Sequence, residues 1–126
     1  MQAETLVHIA GIHSLGFAAF HLAFWRLFDW TRELRKVGLP TRAVTQILNL
    51  RLVYVFLGAG AACFLFTDEL LHTPLGRALL GFMALFWVGR ALEQFVFLRI
   101  NDPRVHMLTA LFVAGAVLFA APLLIG

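Results

Sequence analysis

Four long stretches of mostly apolar residues dominate this chain. They cover residues 6–28, 43–66, 75–98 and 105–125. A hydrocarbon core about 30 Å thick needs about 20 such residues in a helix, so each stretch is long enough to cross a bilayer. The pattern predicts an all-α fold with four transmembrane helices in a single domain, 1–126. Because the connections are short, it also predicts an antiparallel, up-and-down four-helix bundle.

Capping and helix-breaking residues separate the apolar stretches. Gly38 and Pro40 are expected to end whatever continues the first helix, and Thr41 is placed to cap the second. Thr73 and Asp102 each stand directly before a proline. A capping side chain followed by a first-turn proline is a typical helix start. The sequence therefore predicts caps at both positions.

The basic residues indicate how the helices are oriented. Eight of them flank the first and third connections, whereas the second connection has one, Arg77. Cytoplasmic connections of membrane proteins carry an excess of Lys and Arg. The two basic connections are therefore expected in the cytoplasm and both termini on the opposite side (N-out/C-out). The eight are Arg26, Arg32, Arg35, Lys36, Arg42, Arg51, Arg99 and Arg104.

Composition agrees with a membrane protein and excludes some functions. Hydrophobic residues make up 61% of the chain and charged residues 13%, against about 25% charged residues in soluble domains. The sequence pI near 10 does not predict nucleic-acid binding, because the basic residues gather at helix ends. Cys63 is the single cysteine, so no internal disulfide is expected. The first helix lacks a basic segment before it and is expected to be retained.

Each predicted helix carries polar residues, and these gather at a similar depth in the cytoplasmic half. Ionisable groups inside a membrane cost several kcal/mol, so each one needs a structural or functional reason. We call this set the polar layer, and it is the candidate site. It comprises His21, Asn49, Arg90, Glu93, Gln94 and His106.

An ion pair is expected within the polar layer. Arg90 and Glu93 are three positions apart on one helix, and a pair between them would keep both charges satisfied. Asn49, Gln46 or His21 would add a further polar contact to this ion pair.

Several roles for the polar layer stay open. Hydrogen bonding between helices is the plainest and the most favoured. A pocket for a small polar molecule or a lipid headgroup comes second, with Arg90 or His21 holding an anion. A transition-metal site made by His21, Glu93 and His106 is a third interpretation, and haem ligation by His21 and His106 a fourth. The most favoured interpretation needs no cofactor.

An enzymatic role has little support in the sequence. Ser14 is the only serine, and no acid–base partner is evident at its depth. The chain has neither a phosphate-binding loop nor a dinucleotide-binding fingerprint.

Three segments resemble small, uncharacterised four-helix proteins of the bacterial inner membrane. They begin at His21, Gln46 and Phe86 and read HLAFWRLFDW, QILNLR and FWVGRALEQ. The resemblance implies a multi-pass protein of the bacterial inner membrane. It implies no activity and no substrate.

Together these observations predict a structural or accessory membrane protein. A homo-oligomer or a subunit of a larger membrane complex fits the small residues spaced along the helices. Besides the bilayer, anionic lipid is an expected partner of the basic connection that contains Arg32, Arg35 and Lys36.

Overall fold

A computed structural model describes residues 2–125, and the regular structure in that range is entirely helical. Four helices are long: α1, Ala3–Leu22; α4, Leu39–Leu65; α6, Pro74–Phe97; and α7, Pro103–Ile125. Three are short: α2, Phe24–Leu27; α3, Trp30–Glu33; and α5, Thr67–His72; a 3₁₀ turn covers Leu34–Lys36.

Each of the four long helices is long and apolar enough to cross a membrane, as the sequence predicted. Large apolar side chains are widely exposed along them, including Leu65, Leu75 and Leu124. A monomeric soluble protein rarely exposes so much contiguous apolar surface. The chain has the features of a multi-pass membrane protein.

The chain divides into two compact units. One comprises Gly11–Ala61, and the other comprises the described residues up to Ala10 and from Ala62 onward. The predicted single domain and the antiparallel four-helix bundle stay predictions.

In the unit Gly11–Ala61, α1 and α4 pack as an antiparallel pair. Phe17 faces Phe56 with ring centroids 6.0 Å apart, and further along Leu15 lies against Gly60. A Cβ atom on Gly60 would lie 2.6 Å from the Leu15 Cδ2 atom, so the absent side chain lets the helices approach closely.

The first helix ends earlier than the apolar stretch 6–28 predicts. It stops at Leu22, and the N–H of Ala23 donates to the carbonyls of both Ala19 and Phe20. Such shared bonds tighten the last turn of a helix. The chain then turns through Asp29, whose φ of 50° is a left-handed conformation that Asp tolerates better than most residues.

The second long helix begins earlier than the predicted 43–66. It starts at Leu39, with the N–H of Arg42 donating to the carbonyl of Gly38. The prediction that Thr41 caps this helix is wrong, because Thr41 lies inside its first turn. Pro40 was expected to end a helix, but proline is equally suited to a first turn, where its missing N–H has no partner to lose.

In the other unit, α6 and α7 form an antiparallel helical hairpin. Trp87 stacks on Phe112 with ring centroids 5.7 Å apart, and Gln94 reaches Val105 nearer the connection. At the opposite end the Arg77 guanidinium donates to the carbonyls of Leu71 and Leu123, at 3.2 and 2.8 Å. The hairpin is thus fastened by side chains along its length.

Both caps predicted for this unit are confirmed. The Thr73 hydroxyl accepts a hydrogen bond from the N–H of Gly76, and Asp102 Oδ1 accepts one from the N–H of Arg104. Gly76 also packs directly on the backbone of α5, where any Cβ atom would collide with the Glu69 carbonyl.

Candidate functional site

His21 and Asn49, two members of the polar layer, are joined in the unit Gly11–Ala61. The Asn49 amide nitrogen donates a 2.8 Å hydrogen bond to the backbone carbonyl of His21. That carbonyl belongs to the last turn of α1, where carbonyls lack a partner within the helix. Asn49 is only 4% exposed, so the bond is shielded from solvent. Its role is to satisfy a helix end.

The His21 ring is held among aromatic side chains. Its Nδ1 atom lies 2.8 Å from the carbonyl of Phe17, and because a carbonyl only accepts, Nδ1 carries the hydrogen. The ring centroid lies 4.4 Å from that of Phe24 and 5.2 Å from that of Phe56. These contacts fix both the tautomer and the orientation of the imidazole.

Trp25 makes a second polar link in the same unit. Its indole N–H donates to Gln46 Oε1 at 2.8 Å, and Gln46 Nε2 donates in turn to the carbonyl of Arg42. Gln46 was expected to complete an Arg90–Glu93 pair, but here its amide connects Trp25 to α4.

Arg90 in the α6–α7 hairpin has an aromatic partner. Its guanidinium carbon lies 4.5 Å above the ring centroid of Phe112, which is cation–π geometry. Every ion pair in residues 2–125 joins neighbours no more than four positions apart, and none of them joins Arg90 to Glu93. The expected ion pair is therefore not formed.

Helix geometry explains why Glu93 forms no direct ion pair with Arg90. The buried face of α6 includes Trp87 and Gln94, and Glu93 lies about 100° around the axis from Gln94. Glu93 is exposed, whereas Arg90 bends toward α7.

Gln94 is the most deeply buried polar member of the layer, at 2% exposed. Its Nε2 atom donates to the carbonyl of Val105 at 3.3 Å, and the Thr109 hydroxyl donates to the same carbonyl at 3.0 Å. The other amide atom, Oε1, is buried and accepts no hydrogen bond from any residue between 2 and 125. Gln94 thus keeps an unused acceptor inside the hairpin.

A cavity of about 330 Å³ lies where α6 and α7 are connected, and we call it the hairpin cavity. It brings together Gln94 and His106, both predicted site residues, with polar and apolar neighbours. Its remaining lining residues are Phe95, Leu98, Arg99, Ile100, Asn101, Val105 and Thr109.

Two local pairs lie in or next to the connection between α6 and α7. His106 Nε2 lies 2.9 Å from Asn101 Oδ1, which places the hydrogen on Nε2. The Asp102 carboxylate accepts hydrogen bonds from the backbone N–H and from the guanidinium of Arg104. These hydrogen bonds hold the pKa of the Asp102 carboxyl below its usual range.

The metal and haem interpretations receive no support from the geometry. Within residues 2–125 no group of three or more His, Cys, Asp or Glu side chains is placed to hold a metal ion. The metal site drawn from His21, Glu93 and His106, and haem ligation by His21 and His106, stay predictions.

Sequence reasoning missed several partners in these sites. The sequence did not single out Phe112, and Arg99 served only to indicate orientation. The position of Arg99 directly after an apolar run and Asn101 beside a helix start were signals of a polar end to the hairpin. The pattern of side chains does not show that the backbone carbonyls of His21 and Val105 accept these hydrogen bonds, because every residue has such a carbonyl.

The resemblance to small inner-membrane proteins stays a prediction. No family model, curated protein or solved structure matches this chain.

Proposed function

We propose that this chain is a non-enzymatic structural protein of the membrane that assembles with other copies of itself. The observation that carries the proposal is the exposure of two opposite charges, Arg51 and Glu93, on helices of membrane length. A charged side chain near the middle of a membrane helix, where Arg51 lies, costs about 2.5–3.5 kcal/mol by insertion scales, and Glu93 lies nearer a helix end. Burying Arg51 against an opposite charge on a neighbouring copy offsets that cost.

Arg51 lies well inside α4. It is nine residues beyond Arg42, roughly 13 Å along the helix. Its guanidinium lies 5.5 Å from the ring centroid of Tyr54, which is itself 68% exposed. The cation and its aromatic neighbour therefore form an exposed polar spot among apolar residues.

Glu93 supplies the matching charge on α6. It precedes the last residue of that helix, Phe97, by about one turn, or roughly 6 Å. Measured from the helix end next to the basic connection, which is Leu39 for Arg51 and Phe97 for Glu93, the two depths differ by roughly 12 Å. The long arginine side chain can bridge part of such a difference.

We also propose that the basic connections face the cytoplasm of a bacterial inner membrane, with both termini outside. The excess of Lys and Arg in those connections supports this orientation. Arg77, the one basic residue of the opposite connection, uses its guanidinium to bind carbonyls of Leu71 and Leu123. An impermeant thiol reagent should therefore label a cysteine introduced at Asp68 from outside intact cells, and one introduced at Thr31 only in inverted vesicles.

Charge reversal tests the assembly directly. Copies carrying a dye on a cysteine introduced at the exposed Thr31 are reconstituted in lipid vesicles, and energy transfer between copies is measured. The native Cys63 is buried and does not compete for the dye. Arg51→Glu alone and Glu93→Arg alone should each lower transfer to the level of random encounter.

A mixture of the two variants identifies the contact as intermolecular. Mixing Arg51→Glu copies with Glu93→Arg copies brings opposite charges together at both positions, so transfer between the two populations should recover. Arg35→Glu, a reversal in the exposed connection, is the matched control and should leave transfer unchanged. Wild-type copies that transfer no more than a dilution control, or a mixture that stays dissociated, would refute the proposal.

A further inference from the structure

We propose that the hairpin cavity binds an anionic phospholipid whose headgroup carries a hydroxyl, such as phosphatidylglycerol. The cavity measures about 330 Å³ and lies at the basic end of two helices of membrane length. Its lining joins a cation, polar side chains and apolar side chains. Each of these three features restricts the occupant.

The positive charge of Arg99 in the lining favours an anionic ligand. Arg99 is exposed at the cavity and takes part in none of the ion pairs of residues 2–125. The nearby Arg104 is already balanced by Asp102. Basic pockets between membrane helices are typical binding places for phospholipid headgroups. A phosphate beside Arg99 would also lie within reach of the polar side chains of Asn101 and His106.

Gln94 calls for a hydrogen-bond donor on the same ligand. Its side chain is 2% exposed and lines the cavity, and its Oε1 atom accepts no hydrogen bond within the described chain. The amide cannot simply be turned over, because its oxygen would then lie about 3.3 Å from the Val105 carbonyl oxygen, and two acceptors repel each other. A fully ionised phosphate offers no donor, whereas a glycerol hydroxyl does. The ligand therefore combines an anion with a hydroxyl.

The apolar lining calls for a hydrocarbon chain. Phe95, Leu98, Ile100 and Val105 contribute side chains to the cavity, and Phe95 and Ile100 are also exposed at the surface. An acyl chain leaving the headgroup would cover them, and free phosphate would leave them uncovered. This feature selects a lipid over a soluble anion.

Thermal unfolding of the full chain in neutral maltoside detergent tests the site. Four probes are compared: dioleoyl phosphatidylglycerol, dioleoyl phosphatidylmethanol, dioleoyl phosphatidylcholine and inorganic phosphate. The first two share charge and chains but differ in the hydroxyl, the third has no net charge, and the fourth has no chain. Phosphatidylglycerol should bind about tenfold more tightly than phosphatidylmethanol. Its advantage over phosphatidylcholine and over inorganic phosphate should be larger than tenfold.

Two variants assign the effect to residues. Arg99→Gln should weaken phosphatidylglycerol binding about tenfold or more, and Arg35→Gln, which removes the same charge from the other basic connection, should not. Gln94→Leu should abolish the preference for phosphatidylglycerol over phosphatidylmethanol. The fold should survive this change, because Thr109 still donates to the Val105 carbonyl.

Several outcomes would overturn the inference. Equal weakening by Arg99→Gln and Arg35→Gln would mean general attraction of anionic lipid to the basic surface. Equal stabilisation by inorganic phosphate would point to a soluble anion, and equal binding of phosphatidylmethanol would remove the role of Gln94. Because Arg99→Gln changes an exposed side chain, folding does not obscure its result. Energy transfer between copies is a separate readout, so assembly and lipid binding can fail independently.

Discussion

The side-chain amide of Asn49 donates a 2.8 Å hydrogen bond to the backbone carbonyl of His21, 28 positions earlier in the chain. This bond links α4 to the end of α1. Because Asn49 is buried, removing its amide leaves the carbonyl without that donor. A buried acceptor that loses its partner costs about 1–3 kcal/mol, and hydrogen bonds between membrane helices fall at the lower end.

Asn49→Leu should therefore lower the free energy of unfolding by about 1 kcal/mol. Unfolding of the detergent-solubilised protein by sodium dodecyl sulfate, followed by tryptophan fluorescence, measures the loss. Thr45→Val is the matched control, since the Thr45 hydroxyl donates only within its own helix, to the carbonyl of Thr41. Equal losses in the two variants would contradict a role for Asn49 in joining the helices.

A second prediction concerns the contact between α5 and α6. A Cβ atom on Gly76 would lie only 2.5 Å from the Leu70 Cα atom, and backbone cannot rotate away as a side chain can. Overpacking of this kind typically costs 1–3 kcal/mol, so Gly76→Ala should destabilise the protein by about 2 kcal/mol. The same unfolding assay measures it.

The control for this prediction lies in the same helix. Gly89 has nothing within 4 Å of where its Cβ atom would lie. Gly89→Ala should stabilise α6 by about 0.5–1 kcal/mol, the ordinary gain in a helix. If both alanine variants change stability in the same direction, close packing at Gly76 is not the cause.

The features that local sequence determines were the ones the sequence predicted well. The number of long helices follows from the apolar runs, and the caps at Thr73 and Asp102 follow from a capping residue before a proline. The start of α4 was missed because Gly38 and Pro40 fit a helix end as well as a helix start. Local pattern does not distinguish these two uses of proline.

Partner choice in the polar layer could not be predicted for a different reason. Spacing correctly places Arg90 one turn from Glu93, but Arg90 lies over Phe112, which belongs to another helix. Likewise, the depth of Asn49 was evident in the sequence, whereas its acceptor is a backbone carbonyl. Such contacts depend on which residues of two packed helices face each other. The periodicity of one helix does not contain this information.

The contact between Arg90 and Phe112 gives a third prediction. In a double-mutant cycle, Arg90→Met and Phe112→Leu should show a coupling energy of about 1 kcal/mol, the usual size for a partly buried cation–π pair. A parallel cycle of Arg90→Met with Glu93→Gln is the comparison and should give the smaller coupling, because these two charges form no direct ion pair. A larger coupling of Arg90 to Glu93 than to Phe112 would contradict this prediction and would support the ion pair expected from the sequence spacing.

The last prediction concerns acid. Asp102 lies before α7, outside the membrane-length helices, and hydrogen bonds from Arg104 hold the pKa of its carboxyl below the usual range. A carboxyl whose pKa is lower in the folded state stabilises the fold above its unfolded pKa, about 3.9. This contribution is lost as the pH falls from about 4 through the folded-state pKa. Wild-type protein should thus lose stability in that range.

Asp102→Asn isolates this effect, because asparagine caps a helix about as well as aspartate but does not ionise. Its deficit in unfolding free energy relative to wild type should be largest near pH 7 and should shrink below pH 4. Thr73→Ala removes a cap that has no ionisable group, so its deficit, about 1 kcal/mol, should stay constant with pH. An Asp102→Asn deficit that is equally constant would show that the charge of Asp102, and its pairing with Arg104, does not stabilise the start of α7.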